Sequence, residues 1–291
     1  MYIAIVSGAF IGAMMVPLCA QSGIQSNQTS GSSDEFSFSR AVESLSPVFD
    51  RFYPEEEGTW RFGTGIDFSS GKYGDAEKTE ILYLPLNLSY LNGPWNFKLT
   101  VPWIRMSGDG SVIGGGEGGV IVGPKGGDTK TEEGLGDIWA TAAYSLDSFP
   151  SDWGFLDLVG KVKLPTADSD KGLGTGEFDY TLQIDYFKAM GKFSPMVTLA
   201  YKVKGSPDEY KLDNVFYTSV GGDYRYSEKI NFGASLDFQQ ASTDTSDDSL
   251  EIFSYLGYRL PEDRLLTTYM YFGLSDGSPD FGGGLQIRIT L

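Results

Sequence analysis

Apolar and polar residues alternate along most of this chain, most cleanly between Glu177 and Tyr186. Glu177, Asp179, Thr181, Gln183 and Asp185 occupy one phase, and Phe178, Tyr180, Leu182, Ile184 and Tyr186 the other. A period of two places these sets on opposite faces of a β-strand. Read the same way from Gly58 onward, the pattern predicts about twelve strands. They fall at 58–68, 79–91, 94–106, 135–147, 153–165, 176–189, 193–204, 213–226, 229–240, 249–260, 264–274 and 280–291. Several have an unbroken apolar face, such as Leu82, Leu84, Leu86 and Leu88 in the second and Trp95, Phe97, Leu99, Val101 and Trp103 in the third.

Such strands suit two architectures. A soluble sandwich or barrel turns the apolar face inward, whereas a transmembrane barrel turns it to lipid and keeps the polar face in its lumen. Strand lengths of about ten residues or more suit a tilted bilayer crossing better than a sandwich. The connections also sort by parity. Those after even strands are mostly tight, namely Asn92-Gly93, Asp147–Asp152, Gly191-Lys192, Ser227-Glu228 and Pro261–Asp263. Those after odd strands are mostly longer and acidic, led by the glycine-rich run Ser107–Gly134. Short turns on one side and long loops on the other mark an outer-membrane barrel. The polar phase carries Arg61, Asp67, Lys98, Asp157, Lys161, Asp185, Lys202, Asp223, Arg259 and Arg288, among other ions. In a dry core each would cost several kcal/mol unless paired; a wet lumen carries them. The pattern therefore predicts an all-β, antiparallel transmembrane barrel over 58–291.

The amino-terminal part reads differently. Residues 2–18 are apolar, and Leu18-Cys19-Ala20 precedes Gln21, so residues 1–20 are expected to be a signal peptide; an uncleaved anchor is the alternative. Residues 21–57 form a periplasmic segment. Its first part is rich in Gln, Ser, Asn and Gly, and Phe38, Val42, Leu45 and Phe49 then recur at helical spacing. Pro47 limits that helix to a few turns. It is either a short surface helix or a piece lying at, or plugging, the barrel mouth.

Composition narrows the chemistry. The net charge is −17, with no basic stripe to neutralise phosphates, so nucleic acid is not an expected partner. The chain has no His, which removes Ser–His–Asp triads, Cys–His pairs and His-ligated zinc or haem. The one Cys, Cys19, lies in the leader. No catalytic residue, cofactor or metal site is predicted. Gly172-Leu173-Gly174-Thr175-Gly176 joins two strands rather than a strand and a helix, so it lacks the anion-binding dipole of a phosphate loop. Asp168, Asp170 and Gly172 echo a calcium loop without its closing Glu. Glu177 and Asp179 are the best glycosidase-like pair, but they point into a channel.

Two groups of inward positions are candidates. Lys161, Lys163, Glu177, Asp179, Lys202 and Lys204 lie near the outer end of neighbouring strands five to seven. They form either a charged constriction that filters solutes or a salt-bridge network bracing the wall. Trp139, Tyr217, Phe253, Tyr255, Tyr269 and Tyr271 form either a stacking track for an aromatic or apolar solute or the filling of a narrow interior. Asp208, Glu209, Asp244, Asp247, Asp248, Asp276 and Asp280 make an acidic outer rim, for solvation or for cation bridging to lipopolysaccharide.

Four segments carry a family resemblance: GLGDIWATAAYSL (134–146), KLPTADSDKGLGTGEFDY (163–180), LAYKVKGSP (199–207) and GLSDGSPDFGGGLQIRITL (273–291). They resemble the outer-membrane transporter family labelled putative meta-pathway of phenol degradation, over about Gly134 to Leu291. The resemblance implies a barrel passing aromatic or other apolar small molecules, and brings no catalytic residues. The expected partners are outer-membrane lipid and lipopolysaccharide, a small-molecule solute, and the barrel-assembly machinery during biogenesis. A closed structural or surface-binding barrel and, with less support, an outer-membrane enzyme are the alternatives.

Overall fold

The computed structural model describes residues 32–33, 58–73, 77–108, 112–113, 129–146, 150, 152–208, 210–244 and 246–291. The predicted signal peptide and the segment to residue 57, with its short helix, lie outside the described residues apart from Ser32–Ser33. From Thr59 the chain forms twelve antiparallel strands closed into a barrel. They are β1 (Thr59–Gly71), β2 (Thr79–Asn92), β3 (Trp95–Gly108), β4 in two halves (Lys130–Leu135 and Ile138–Ser145), β5 (Phe155–Leu164) and β6 (Asp179–Phe187). β7 (Phe193–Val203), β8 (Val215–Arg225), β9 (Ile230–Gln239), β10 (Ser249–Leu260), β11 (Arg264–Gly273) and β12 (Phe281–Thr290) complete the wall. Each strand pairs with the next, and β12 closes on β1 from Phe281 opposite Ser70 to Thr290 opposite Arg61. Closure pairs the wall on both sides of each strand, as a bilayer demands of backbone polar groups, except that among the described residues the outer half of β4, Lys130–Leu135, pairs with β3 alone.

The apolar phase faces outward. Its middle band is aliphatic, with Leu86, Leu88, Leu99, Leu158, Leu182, Ile184, Leu199, Leu236 and Leu256 all exposed. Aromatic rings flank that band. On the side of the short turns Trp60 meets Tyr90, Trp95 meets Phe97 and Tyr144, and Tyr224 meets Phe232. On the side of the long loops Tyr201 meets Phe216 and Phe68 meets Phe281. Two aromatic girdles around an aliphatic band are the lipid face of a transmembrane barrel. Turns such as Asn92-Gly93, where Gly93 takes φ +56°, keep the short side tight.

Strand bounds follow the alternation closely except at β4. The sequence places Ser107–Gly134 in a loop, yet β3 runs to Gly108 and β4 begins at Lys130. The pattern breaks because β4 holds one extra residue. Trp103 is opposite Leu135, but Thr100 is opposite Trp139, so a bulge at Gly136-Asp137 shifts the register by one. A side chain at Gly136 would collide with Ile104 and Pro102, and the bulge turns Asp137 into the lumen, where it is buried.

Candidate functional site

The inward faces of β10 and β11 carry a stack of rings. Phe253 lies 6.0 Å from Tyr255 and 5.7 Å from Tyr269, which lies 6.4 Å from Tyr271. The Tyr271 and Tyr269 rings lean over β12, where Gly282 and Gly284 leave room. A Cβ at either position would stand within 2.4 Å of the Tyr271 or Tyr269 side chain. The phenol groups are oriented by Asp67 on β1, which accepts from Tyr269 and Tyr271 at 2.9 Å each. Asp223 does the same for Tyr255 at 2.7 Å and also accepts from Asn231.

Two outer loops close over this stack. Tyr73, just past β1, adopts φ +49°, and its ring is 1% exposed with its hydroxyl donating to Ser69. Leu173, in the connection between β5 and β6, is likewise 1% exposed. Tyr73, Tyr83, Ile104, Met106 and Leu173 form one apolar cluster with Phe253, Tyr255, Tyr269 and Tyr271. The outer half of this side of the lumen is therefore filled.

The loop bearing Leu173 is fixed by the KLPTAD…GLGTG stretch. Lys163, 2% exposed, directs its ammonium to Asp179 Oδ2 at 2.9 Å, Thr175 Oγ1 at 2.9 Å and Asp137 Oδ2 at 3.5 Å. Three donors thus meet three acceptors. Asp137 Oδ1 accepts from the backbone N–H of Thr166 and Ala167, and Asp179 Oδ1 from that of Gly205. Between these anchors, Asp168 caps a 3-10 turn at Ser169–Lys171, accepting from the N–H of Asp170 and Lys171, and Gly172 ends it at φ +69°. The Asp168 side chain serves its own loop.

The charged candidates thus divide. Lys163 and Asp179 belong to the buried loop anchor. Glu177 is not a wall residue, because β6 begins only at Asp179; it lies in the loop with its Cβ against Gly205. Lys204 stands just past β7, and its N–H donates to Asn214. Lys161 and Lys202 face the lumen one row away from the anchor, opposite Thr181 from either side. All six aromatic candidates are buried inside the barrel. Phe253, Tyr255, Tyr269 and Tyr271 meet in the stack; Trp139 and Tyr217 stand apart on β4 and β8. Sequence reading missed Tyr73 and Leu173, which lie in loops without periodicity. The glycines of GGG (282–284), opposite an alternating YMY run at Tyr269–Tyr271, were the available signal for ring-over-glycine packing.

Residues 54–291 match the family described as "Putative MetA-pathway of phenol degradation". The chain belongs to this family. The match takes in the whole barrel, including the amino-terminal strands that carry little signature of their own. No curated protein sequence matches the chain. Among solved structures it is similar to an outer-membrane channel from Pseudomonas putida F1, at 15% identity and a TM-score of 0.62, covering 81% of this chain and 97% of that one. It is also similar to the translocator domain of the autotransporter NalP from Neisseria meningitidis, at 10% identity and TM-score 0.51 over 86% and 95% of the two chains. The NanC porin gives 11% identity and TM-score 0.50 over 79% and 100%. At these identities the likeness is one of fold, and the family's signature segments acquire structural roles here: GLGD forms the bulge, KLPTAD…GLGTG the anchored loop, and GGG the floor under the tyrosines.

Proposed function

We propose that this protein is an outer-membrane channel that passes small aromatic or apolar compounds, and that it is not an enzyme. The observation that carries the reading is the inward tyrosine–phenylalanine stack, whose rings are held in tilted and stacked pairs under two tucked loops. With Tyr73 and Leu173 withdrawn, these rings would offer flat apolar solutes a stacking surface without a large polar desolvation cost. The family's description, with phenol degradation in it, and the channel and porin of similar fold support the same reading. Export by the signal peptide at 1–20 and contact with lipopolysaccharide at the acidic rim belong to this proposal.

The test is solute entry into vesicles carrying lipopolysaccharide, which slows apolar solutes. With the barrel inserted, a phenolic should enter several times faster than into protein-free vesicles, with an alkane second and a sugar unchanged. Equal rates with and without protein would overturn the reading. The filled outer lumen favours one rival, a closed barrel that binds at its surface. Planar-bilayer recordings separate the two, since a closed barrel gives no conductance under any voltage or solute.

A further inference from the structure

Residues paired directly across neighbouring strands form rows around the lipid face of the barrel. One row crosses β3 to β8 through Phe97, Ala142, Gly160, Leu182, Tyr201 and Phe216. Its two smallest members stand beside its most prominent one. Nothing comes within 4 Å of the space a Cβ would take at Gly160, whereas Leu182, directly opposite on β6, is 74% exposed. No other large apolar side chain among the described residues stands as open. Trp95, Tyr144 and Leu158 frame an apolar hollow over Ala142 and Gly160 on the short-turn side. Elsewhere the chain fills such a place itself: a Cβ at outward Gly222 would strike the ring of Phe193 from β7. The hollow at Gly160 is left open by its neighbours.

A knob one strand away from a hole is a self-complementary surface. A two-fold axis along the membrane normal, passing between β5 and β6, sets Leu182 of each copy over Gly160 of the other. A strand spacing of about 4.8 Å and a tilt of about 40° bring the two residues within about 3 Å of the same height, inside the reach of a leucine side chain. The same rotation faces β7 with β4, so that the long Tyr201 meets the small Ala140 and Ala142. It also keeps the long loops of both copies on one side of the membrane. Lipid tails are as apolar as leucine, so association in a bilayer rests on close packing and on small residues that let backbones approach. A hollow beside a fixed knob supplies both.

We propose that this face pairs with a second copy of the chain, in a two-fold dimer with Leu182 seated in the hollow at Gly160. The contact is four strands wide and one apolar band tall, roughly 15 Å by 25 Å on each copy. Stable interfaces between soluble proteins are larger, at about 800 Å² per partner. The dimer is therefore reversible and set by protein density in the membrane; at low density the same face meets lipid. The pairing is independent of whether the lumen conducts.

Energy transfer between donor- and acceptor-labelled barrels in vesicles, followed as the protein-to-lipid ratio rises, tests the pairing. The label sits at Ala189→Cys in an exposed short turn, with Cys19→Ser removing the other thiol. Transfer should rise to a plateau that depends linearly on the acceptor fraction, as pairs require. Leu182→Ala removes the knob and Gly160→Leu fills the hole, and each should move the midpoint to at least about tenfold higher density. Because the axis exchanges the two positions, Gly160→Leu/Leu182→Ala carries the knob on β5 and the hole on β6. This double variant should return the midpoint to within about threefold of the unaltered barrel. Leu285→Ala, on the opposite wall, should leave it in place. Heat-modifiable migration on gels checks folding, and Gly160→Val serves if Gly160→Leu fails to fold. Transfer no greater than random collision at any density overturns the proposal, as do single variants with the unaltered midpoint or a double variant no tighter than the single ones. A plateau that curves with acceptor fraction, the sign of a larger assembly, does the same.

Discussion

Lys163 shows how one buried charge can organise a loop. Its three acceptors come from β4, β6 and the loop between β5 and β6. Removing the ammonium would leave Asp137 and Asp179 facing each other in a buried site, the arrangement that makes breaking such a pair cost about 3–5 kcal/mol. Lys163→Met should therefore release the loop, read as new proteolytic cleavage between Pro165 and Phe178 on intact cells or vesicles. A loop as resistant as before would mean that its backbone bonds alone hold it. Gly282 makes the opposite point, that an absent side chain can matter as much. A methyl there would meet the Tyr271 ring, whose hydroxyl is tied to Asp67. Gly282→Ala should cost about 1–3 kcal/mol by overpacking, measured as a lower urea midpoint for unfolding in vesicles, whereas Gly160→Ala, with open space around it, should leave that midpoint in place.

The outer loops act as elements in their own right rather than as connections. Tyr73 and Leu173 come from different loops and join one apolar cluster over the stack, so neither covers it alone. The double variant Tyr73→Ala/Leu173→Ser should raise single-channel conductance more than the two single variants combined. Simple additivity would show that the loops do not share a seal. Little of this was legible in the sequence, for a physical reason. Alternation tells which way a strand residue points, and it placed all six aromatic candidates and both Lys161 and Lys202 inward. It says nothing of loop residues, whose direction is set by turns and tertiary contacts. Nor does it give register. The row through Phe97, Ala142, Gly160 and Leu182 depends on the stagger imposed by each turn and by the bulge at Gly136-Asp137, where one inserted residue also hid the start of β4.

Taken whole, the molecule is a wall one residue thick that separates two solvents, and neighbouring positions obey opposite rules. Lys161 and Gly160 are adjacent in β5, and their partners Thr181 and Leu182 are adjacent in β6. The first pair faces the lumen, where a cation is accommodated. The second faces lipid, where Leu182 is 74% exposed in the middle of the aliphatic band. Introducing a cation by Leu182→Arg moves a charge by a single residue along the strand, from water to hydrocarbon. At the bilayer midplane this should destabilise the barrel by about 2–4 kcal/mol. The same substitution nearer an aromatic girdle, Phe178→Arg, should cost about 0–1 kcal/mol, since the long side chain can reach the interface. Equilibrium unfolding in urea, with the barrel inserted in vesicles, measures both. Equal costs at the two depths would contradict the placement of the membrane on this wall, and a negligible cost at Leu182 would mean that the face presented by Tyr180, Leu182 and Ile184 does not meet lipid at all.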